Sequence, residues 1–261
     1  MILFLAGTSD ARELALEIKA AGYQLVTTVV TDSAAKSMDE VHLPVRVGRL
    51  TAADLCQLIE WENFQLIVDA SHPFAEEASK NAMEAAKAAG VPYIRYERES
   101  ATTARHEKIT VVADYREAAE LAAKRRGVIM LTTGSKTLHI FAEKLLPLPD
   151  TTMLIRMLPR VDNMQKCEEL GIQQKHIIAM QGPFSKELNK ALYEQFQVTC
   201  MITKETGKAG SFDEKVEAAL EMGIETIIIA RPSIEYGTKC SDFADVLQQI
   251  EKVVNTPKPK F

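Results

Sequence analysis

The sequence contains few cysteines, and they are far apart. Its 261 residues include four, Cys56, Cys167, Cys200 and Cys240. No Cys-x-x-Cys pair is present and no spacing resembles that of zinc ligands, so the sequence predicts no protein-bound metal. Cys56 and Cys200 fall in apolar segments, where we interpret them as packing residues. A reduced, cytoplasmic protein is the simplest interpretation.

Long apolar runs and an excess of basic residues are also missing. No apolar run approaches the length that crosses a bilayer, and Met1 leads straight into a strand-like segment without a basic region. We therefore expect no membrane association and no secretory signal. The formal net charge of −5 argues against a dedicated nucleic-acid-binding protein. We find neither a short internal repeat nor a low-complexity tract.

The sequence does contain a regular alternation of strand-like and helix-like segments, from Ile2–Ala6 to the helical pattern at 241–254. Several helical patterns end at a glycine, which favours a helix C-terminus. The alternation predicts an α/β protein built from βαβ units, with two Rossmann-like domains, mostly parallel sheets and a cleft between them. The polar segment 98–108 marks the break. We predict domains at 1–100 and 101–255, with a frayed tail at 256–261.

The first turn is the most informative single segment. Gly7, Thr8, Ser9 and Asp10 follow the apolar run Ile2–Ala6 and precede an amphipathic helical pattern. The N-terminus of a helix suits a phosphate, although the dinucleotide fingerprint has three glycines and only Gly7 is present here. The turn therefore favours either a nucleotide site or an ordinary, well-capped helix. A valine at position 7 is expected to occupy phosphate space while the fold survives.

Polar turns containing glycine or proline follow nearly every predicted strand. Ligands of parallel sheets bind outside the carboxyl ends of the strands, so these turns are candidate site residues. Turns need such residues for structural reasons as well. A whole rim of Arg, Lys, Thr, Gln and His is less easily explained in that way.

The motifs at these turns, taken in chain order, resemble the precorrin-6A reductase family of corrin-ring biosynthesis. They are AGTSDAR (6–12), DASHPFA (69–75), PYIRYER (92–98), LTTGSK (131–136), MQGPF (180–184), TKETG (203–207), FDEK (212–215) and ARP (230–232). The resemblance covers nearly the whole chain. It implies an NAD(P)H-dependent reduction of precorrin-6A or its cobalt form to the 6B product, with hydride going to C19 and a proton to C18. Ala6 replaces a more usual glycine, and Ser71 stands where threonine is common.

The resemblance and the polar residues that follow the predicted strands together give a set of candidate binding residues. For NADPH or NADH they are Gly7, Thr8, Ser9, Asp10, Ser71, Thr133, Gly134 and Gln181. A corrinoid tetrapyrrole carries acetate and propionate carboxylates, which basic side chains bind. For that substrate we predict Arg98, Lys136, Arg156, Lys204 and Arg231, with Arg95 and Arg160 as further cationic candidates.

Three residues have alternative interpretations. His72 is either the proton donor or a turn histidine that orders its loop through the backbone, and water is another donor. Lys204 is either a donor or, with Glu205, a solvent-facing ion pair. Asp32 either binds a ribose diol, which would favour NADH, or caps a helix from Ala34 onward.

Two other function classes stay open at the level of sequence. One is a non-catalytic protein that binds a nucleotide or a tetrapyrrole. The other is an S-adenosylmethionine-dependent transferase acting on a corrinoid, because both chemistries use a glycine-containing first turn. Other enzymes of the corrin pathway are candidate partners.

Overall fold

A computed structural model describes residues 1–98, 106–205 and 213–255. Gly207, Lys208, Gly210 and the predicted tail at 256–261 lie outside the described residues. The chain divides into two compact units. Unit 1 comprises Met1–Arg98 and Ser233–Phe261, and unit 2 comprises Glu99–Pro232.

The described residues form two parallel sheets of six strands each. The strands are β1 (Ile2–Ala6), β2 (Leu25–Val29), β3 (Val45–Val47), β4 (Leu66–Ala70), β5 (Tyr93–Tyr96), β6 (Ile109–Val112), β7 (Gly127–Leu131), β8 (Thr151–Met157), β9 (Ile177–Ala179), β10 (Cys200–Lys204), β11 (Glu225–Ile229) and β12 (Lys239–Cys240). The α-helices are α1 (Ser9–Ala20), α2 (Asp32–Asp39), α3 (Ala52–Glu62), α4 (Glu76–Ala89), α5 (Tyr115–Arg125), α6 (Leu138–Leu145), α7 (Val161–Glu169), α8 (Lys186–Gln195), α9 (Glu214–Glu221) and α10 (Phe243–Asn255).

The sheet of unit 1 follows the strand order of the doubly wound fold, and the sheet of unit 2 follows it for five strands, with the first strand of that unit, β6, in the outermost place. In unit 1 the order is β12-β5-β4-β1-β2-β3, and in unit 2 it is β6-β11-β10-β7-β8-β9. The chain order reverses between β1 and β4 in the first sheet and between β7 and β10 in the second. Such a switch point is where open α/β sheets bind their ligands.

The amphipathic patterns explain how helices cover the sheet of unit 1. All five residues of β1 are buried, as expected for a central parallel strand. On one face, α1 buries Ala11, Leu14, Ala15 and Ile18 at helical spacing. The other face packs against buried residues of α3 and α4. The sheet therefore lies between two helical layers, with its strand ends open to the turns that carry the predicted site.

The structure confirms the predicted α/β class with parallel sheets. Two short edge strands, β3 and β12, were not predicted as elements, whereas helix α2 corresponds to the helix that one interpretation of Asp32 places from Ala34 onward. Strands of two or three residues leave too little hydrophobic periodicity to detect.

The predicted C-terminal domain, 101–255, is wrong in its last part. Strand β12 pairs with β5 of unit 1. Val246 and Ile250 of α10 are fully buried in the core that contains Phe4. The end of the described chain therefore completes the first unit. Among the described residues, no helix is both long and apolar enough to cross a membrane.

Candidate functional site

In unit 1, the turn after β1 touches the turn after β4. A Cβ added to Gly7 would lie 2.7 Å from the backbone nitrogen of His72 and 3.2 Å from the Cα of Ser71. Gly7 is therefore required because two backbones meet there. The expectation that a valine would only occupy phosphate space is wrong, because any side chain at position 7 would first strike the protein's own backbone.

The start of α1 uses the small polar residues of the first turn. The hydroxyl of Thr8 caps the helix by accepting a hydrogen bond from the backbone N–H of Ala11 at 3.3 Å. This confirms a well-capped helix, and it leaves a nucleotide role untested. Ser9 is exposed beside it. A capped N-terminus with exposed donors is compatible with a bound phosphate.

Asp10 and Arg98, predicted for different ligands, form an ion pair with each other. Arg98 Nε lies 2.6 Å from Asp10 Oδ2. Burial alone would raise the pKa of Asp10, but the hydrogen bonds from Arg98 and Thr8 outweigh it and hold that pKa below its ordinary value of 3.8. Asp10 Oδ1 is buried and has no hydrogen-bond partner within the described part of the chain. This oxygen is an acceptor suited to a ligand hydroxyl.

The turn after β4 is anchored by a buried ion pair. The backbone N–H of Ser71 donates to Asp69 Oδ1 at 2.9 Å, and Arg95 Nη1 donates to the Ser71 carbonyl at 3.0 Å. Arg95 also donates to the Ser71 hydroxyl at 3.2 Å. Ser71 is buried. Its hydroxyl therefore belongs to the network that shapes the turn.

Arg95 is fully buried and its charge is matched within unit 1. Its Nη1 lies 3.1 Å from Asp69 Oδ1, and its Nη2 lies 2.9 Å from Glu97 Oε2. The other oxygen of Glu97, Oε1, lies 2.8 Å from Lys239 Nζ. Although burial favours the neutral form, these carboxylates raise the pKa of Arg95. The suggestion that Arg95 binds a substrate carboxylate is wrong, because its side chain is 0% exposed and protein carboxylates already match its charge.

His72 is exposed at the tip of this turn. Its Nδ1 accepts a hydrogen bond from the backbone N–H of Phe74 at 3.1 Å. The interpretation of His72 as a turn-ordering histidine is therefore confirmed. Since Nδ1 acts as the acceptor, the neutral ring carries its proton on Nε2. A role in proton transfer through that atom stays compatible with this geometry.

In unit 2, Lys204 ends β10, at the switch point beside β7. Its Nζ lies 5.7 Å from the ring centroid of Tyr115, and the side chain is half-buried. Burial first, and then the charges of Lys136 and Lys215, lower the pKa of Lys204 below 10.5. The predicted solvent-facing ion pair with Glu205 does not describe this position, because Lys204 is packed against an aromatic ring.

The turn after β7 presents unpartnered hydroxyls. The Oγ1 atoms of Thr133 and Thr137 are buried without a hydrogen-bond partner among the described residues. Gly134 adopts φ +80°, and a Cβ there would meet no atom within 4 Å. Helix α6 starts with no side-chain cap. The turn therefore offers donors and open space to a ligand.

The remaining predicted residues lie at the carboxyl ends of their strands or in the turns that follow. Gln181 and Lys136 are exposed in turns after β9 and β7. The backbone N–H of Arg231 donates to Glu205 at 3.3 Å, and its Nε lies 3.6 Å from the same carboxylate. Arg156 is buried at the end of β8.

Other residues that bear on the site lie outside the predicted binding set. The exposed Arg160 is paired with Asp162 at 2.9 Å. The predicted cap at Asp32 is wrong by one residue, because Thr31 accepts the hydrogen bond from Ala34. Sequence reasoning missed Asp69, although it lies in the motif DASHPFA. It also missed Tyr115, for which the sequence gives no signal.

The comparisons with known proteins agree on one family. The profile described as precorrin-6x reductase CbiJ/CobK matches residues 1–251. The chain is 57% identical over 250 residues to the cobalt-precorrin-6A reductase of Priestia megaterium, covering 96% of this chain and 98% of that protein. It is 35% identical over 233 residues to the cobalt-precorrin-6A reductase of Salmonella typhimurium, covering 89% and 88%.

A solved structure of CobK precorrin-6A reductase shares the fold, with a TM-score of 0.77 at 24% identity and coverage of 98% of both chains. The family profile spans the turns at both switch points, so the resemblance seen in the motifs is confirmed over almost the whole chain. This chain belongs to the precorrin-6x reductase family.

Proposed function

We propose that this protein reduces precorrin-6A or its cobalt form to the 6B product in cobalamin biosynthesis, using NADPH or NADH. The observation that carries the proposal is the family match over residues 1–251. Two parallel sheets, each with a polar turn at its switch point, support it. The bound nicotinamide would supply the hydride that goes to C19.

The residues at both switch points fit a nicotinamide cofactor. In unit 1, we propose Gly7, Thr8, Ser9, Asp10 and Ser71, where the start of α1 presents backbone donors and Asp10 Oδ1 is an unused acceptor. In unit 2, we propose Thr133, Gly134 and Gln181. There the orphaned hydroxyl of Thr133 and the open space at Gly134 are the features that a ligand would use.

Basic side chains at the strand ends are proposed to bind the carboxylates of the tetrapyrrole. They are Arg98, Lys136, Arg156, Lys204 and Arg231. Arg98 is also held by Asp10, which fixes the orientation of its guanidinium group.

Two groups are proposed for proton delivery to C18. The depressed pKa of Lys204 makes its ammonium a stronger acid than an ordinary lysine. His72 presents Nε2 from a turn whose backbone is fixed by Asp69 and Arg95. If one of them is the donor, its glutamine variant should lose about 10²-fold or more in kcat with the cofactor affinity unchanged. If kcat falls in neither variant, water is the proton donor.

Turnover with purified substrates tests the proposal. Reduced-nicotinamide absorbance should decay when metal-free or cobalt-containing precorrin-6A is present, and the preferred substrate should give the larger kcat/KM. A non-catalytic binding protein would show no decay. A transferase would instead methylate the corrinoid with S-adenosylmethionine. The true cofactor, at a hundredfold excess over its Kd, should raise the free energy of unfolding by about 3 kcal/mol.

A further inference from the structure

Among the residues that the structure describes, two arginines are buried, and their surroundings differ in charge. Arg95 in unit 1 is 0% exposed and is paired with Asp69 and Glu97. Arg156 in unit 2 is 7% exposed. Across residues 1–98, 106–205 and 213–255, no carboxylate lies within ion-pair distance of Arg156. A buried guanidinium without a counter-ion is costly, so its retention needs an explanation.

The guanidinium of Arg156 is held rigidly on one side. Its Nη1 donates to Asn189 Oδ1 at 2.6 Å, and its Cζ lies 4.3 Å from the ring centroid of Phe184. Asn189 is itself fixed, because its Nδ2 donates to the carbonyl of Ser185 at 2.7 Å. An aromatic face and a neutral amide orient the cation but do not neutralise it.

The opposite edge of the same group is available. Within the described part of the chain, Nε and Nη2 of Arg156 make no hydrogen bond. Arg156 is 7% exposed, so its side chain is not completely enclosed. Nε and Nη2 together form the fork that binds a carboxylate or a phosphate through two parallel hydrogen bonds.

The position of Arg156 places this fork at the ligand-binding edge of the sheet. Ile155 pairs with Leu131, the last residue of β7, so Arg156 lies one residue beyond that pair, level with the start of the Thr133–Gly134 turn. Burial lowers the pKa of Arg156, whereas Asp213, which acts in the opposite direction, is engaged in an ion pair with Lys215. The protein thus leaves one oriented cation uncompensated beside its switch point.

We propose that the Nε–Nη2 edge of Arg156 is a preformed site for one oxyanion of a reaction ligand, with Asn189 and Phe184 as its positioning residues. The shared chemistry is a carboxylate of the tetrapyrrole or the 2′-phosphate of NADPH. The source of the anion rests on the proposed function, whereas the presence of the site does not.

The first test uses inorganic phosphate as the probe and thermal unfolding of the full chain as the readout. Arg156→Gln keeps an N–H donor for Asn189 and removes the charge. Without phosphate, its unfolding midpoint should equal or exceed that of the wild type, whereas Arg95→Gln should unfold at a clearly lower temperature. Phosphate at constant ionic strength should raise the midpoint of the wild type by more than that of Arg156→Gln, in which the start of α1 can still bind phosphate.

Two results of this test would overturn the proposal. One is an equal phosphate-induced shift in the wild type and in Arg156→Gln. The other is a fall in the unfolding midpoint of Arg156→Gln as large as the fall in Arg95→Gln. That result would show that Arg156 stabilises the fold and is not an anion site.

The second test distinguishes the two sources of the anion. Arg156→Gln should raise one KM at least tenfold. A higher KM for the tetrapyrrole, measured with NADH as cofactor, identifies the anion as a substrate carboxylate. A higher KM for NADPH but not for NADH identifies it as the 2′-phosphate. Arg116→Gln, on the exposed surface of α5, is the matched control and should change neither KM.

If no KM changes in Arg156→Gln, the proposal fails. If the wild type itself shows no turnover, the proposed function fails, and the phosphate experiment still decides whether Arg156 is an anion site.

Discussion

Gly7 lies where the turns after β1 and β4 come into backbone contact. Replacing it with alanine should separate the two turns, because the new methyl group would lie 2.7 Å from the His72 nitrogen. We expect a loss of about 1–3 kcal/mol in the free energy of unfolding, as for an overpacked core site. We also expect a weaker affinity for the nicotinamide cofactor. Urea unfolding and cofactor titration measure the two effects.

Gly90 provides the matched control for Gly7. It ends α4 with φ +65° and has no atom within 4 Å of an added Cβ. Gly90→Ala should cost about 1–2 kcal/mol through backbone strain and leave the cofactor affinity unchanged. An equal loss of affinity in both variants would show that stability alone controls binding.

Lys204 gives the protein a specific dependence on pH. Its pKa in the folded state is below 10.5, so the unfolded chain holds this proton more tightly. Below the folded pKa the charge destabilises the fold, and that penalty disappears as the pH rises towards 10.5. Lys204→Gln should therefore be more stable than the wild type at neutral pH, and the difference should shrink through the alkaline range. Chemical unfolding at several pH values measures it.

A charged replacement at position 204 separates charge from packing. Lys204→Arg stays charged over the whole range, so it should lack the alkaline gain that the wild type shows. Parallel stability curves for the wild type and Lys204→Gln would contradict this account of the lysine.

For individual residues, the sequence predicted which turns carry polar side chains. It did not predict which of the charged side chains are already paired with an opposite charge of the protein. Arg95 and Arg156 both come near the end of a predicted strand, and both were candidates for substrate binding. Their difference depends on Asp69, which is distant from Arg95 in the chain, and on Asn189. Only folding brings such partners together, so no local pattern reports them.

At the scale of elements, a buried polar network joins β4, β5 and β12. Tyr93 on β5 donates to Asp69 Oδ2 on β4 at 2.7 Å, and Glu97 after β5 accepts from Lys239 on β12 at 2.8 Å. The network fixes the turn that carries Ser71 and His72. Because each buried side chain of the network is bonded to another, removing one of them is expected to affect the others as well.

Tyr93→Phe should loosen this network without unfolding the protein. Removing the hydroxyl leaves one buried carboxylate oxygen with a lost partner, at a cost of about 1–3 kcal/mol. We expect kcat to fall more than the substrate affinity, because the His72 turn loses its fixed geometry. Denaturant unfolding and steady-state kinetics measure both. Tyr23→Phe, at a residue outside the network, is the control and should alter neither value.

The predictability of elements follows their length and burial. The bounds of β1 agree with the predicted strand-like segment Ile2–Ala6, because a continuous apolar run that ends at a glycine marks it clearly. Strand β12 has only two residues, and its position depends on pairing with β5. Such an edge strand is defined by tertiary contacts and not by local propensity.

At the scale of the whole molecule, the two units differ in chain continuity. Unit 2 is one continuous segment, whereas unit 1 needs Met1–Arg98 and Ser233–Phe261. A fragment covering residues 99–232 should therefore unfold cooperatively by itself. Residues 1–98 alone should not, because Val246 and Ile250 of the missing segment fill their core. Circular dichroism during urea titration distinguishes these outcomes.

A linked fragment completes that comparison. Joining residues 1–98 to 233–261 with a flexible linker should restore cooperative unfolding, since β12 lies parallel to β5 and α10 packs on α1. Cooperative unfolding of residues 1–98 without the added segment would contradict the assignment of the C-terminal helix to this core.

The late position of β12 and α10 in the chain also affects synthesis on the ribosome. The nascent polypeptide emerges with the first sheet lacking its outermost strand, while the second sheet can close before translation ends. During that interval the β5 edge offers unpaired backbone groups to neighbouring nascent chains. Completion of the first sheet therefore has to wait for the synthesis of β12, and a premature stop codon after Pro232 would produce an aggregation-prone product even though the whole of unit 2 had been made.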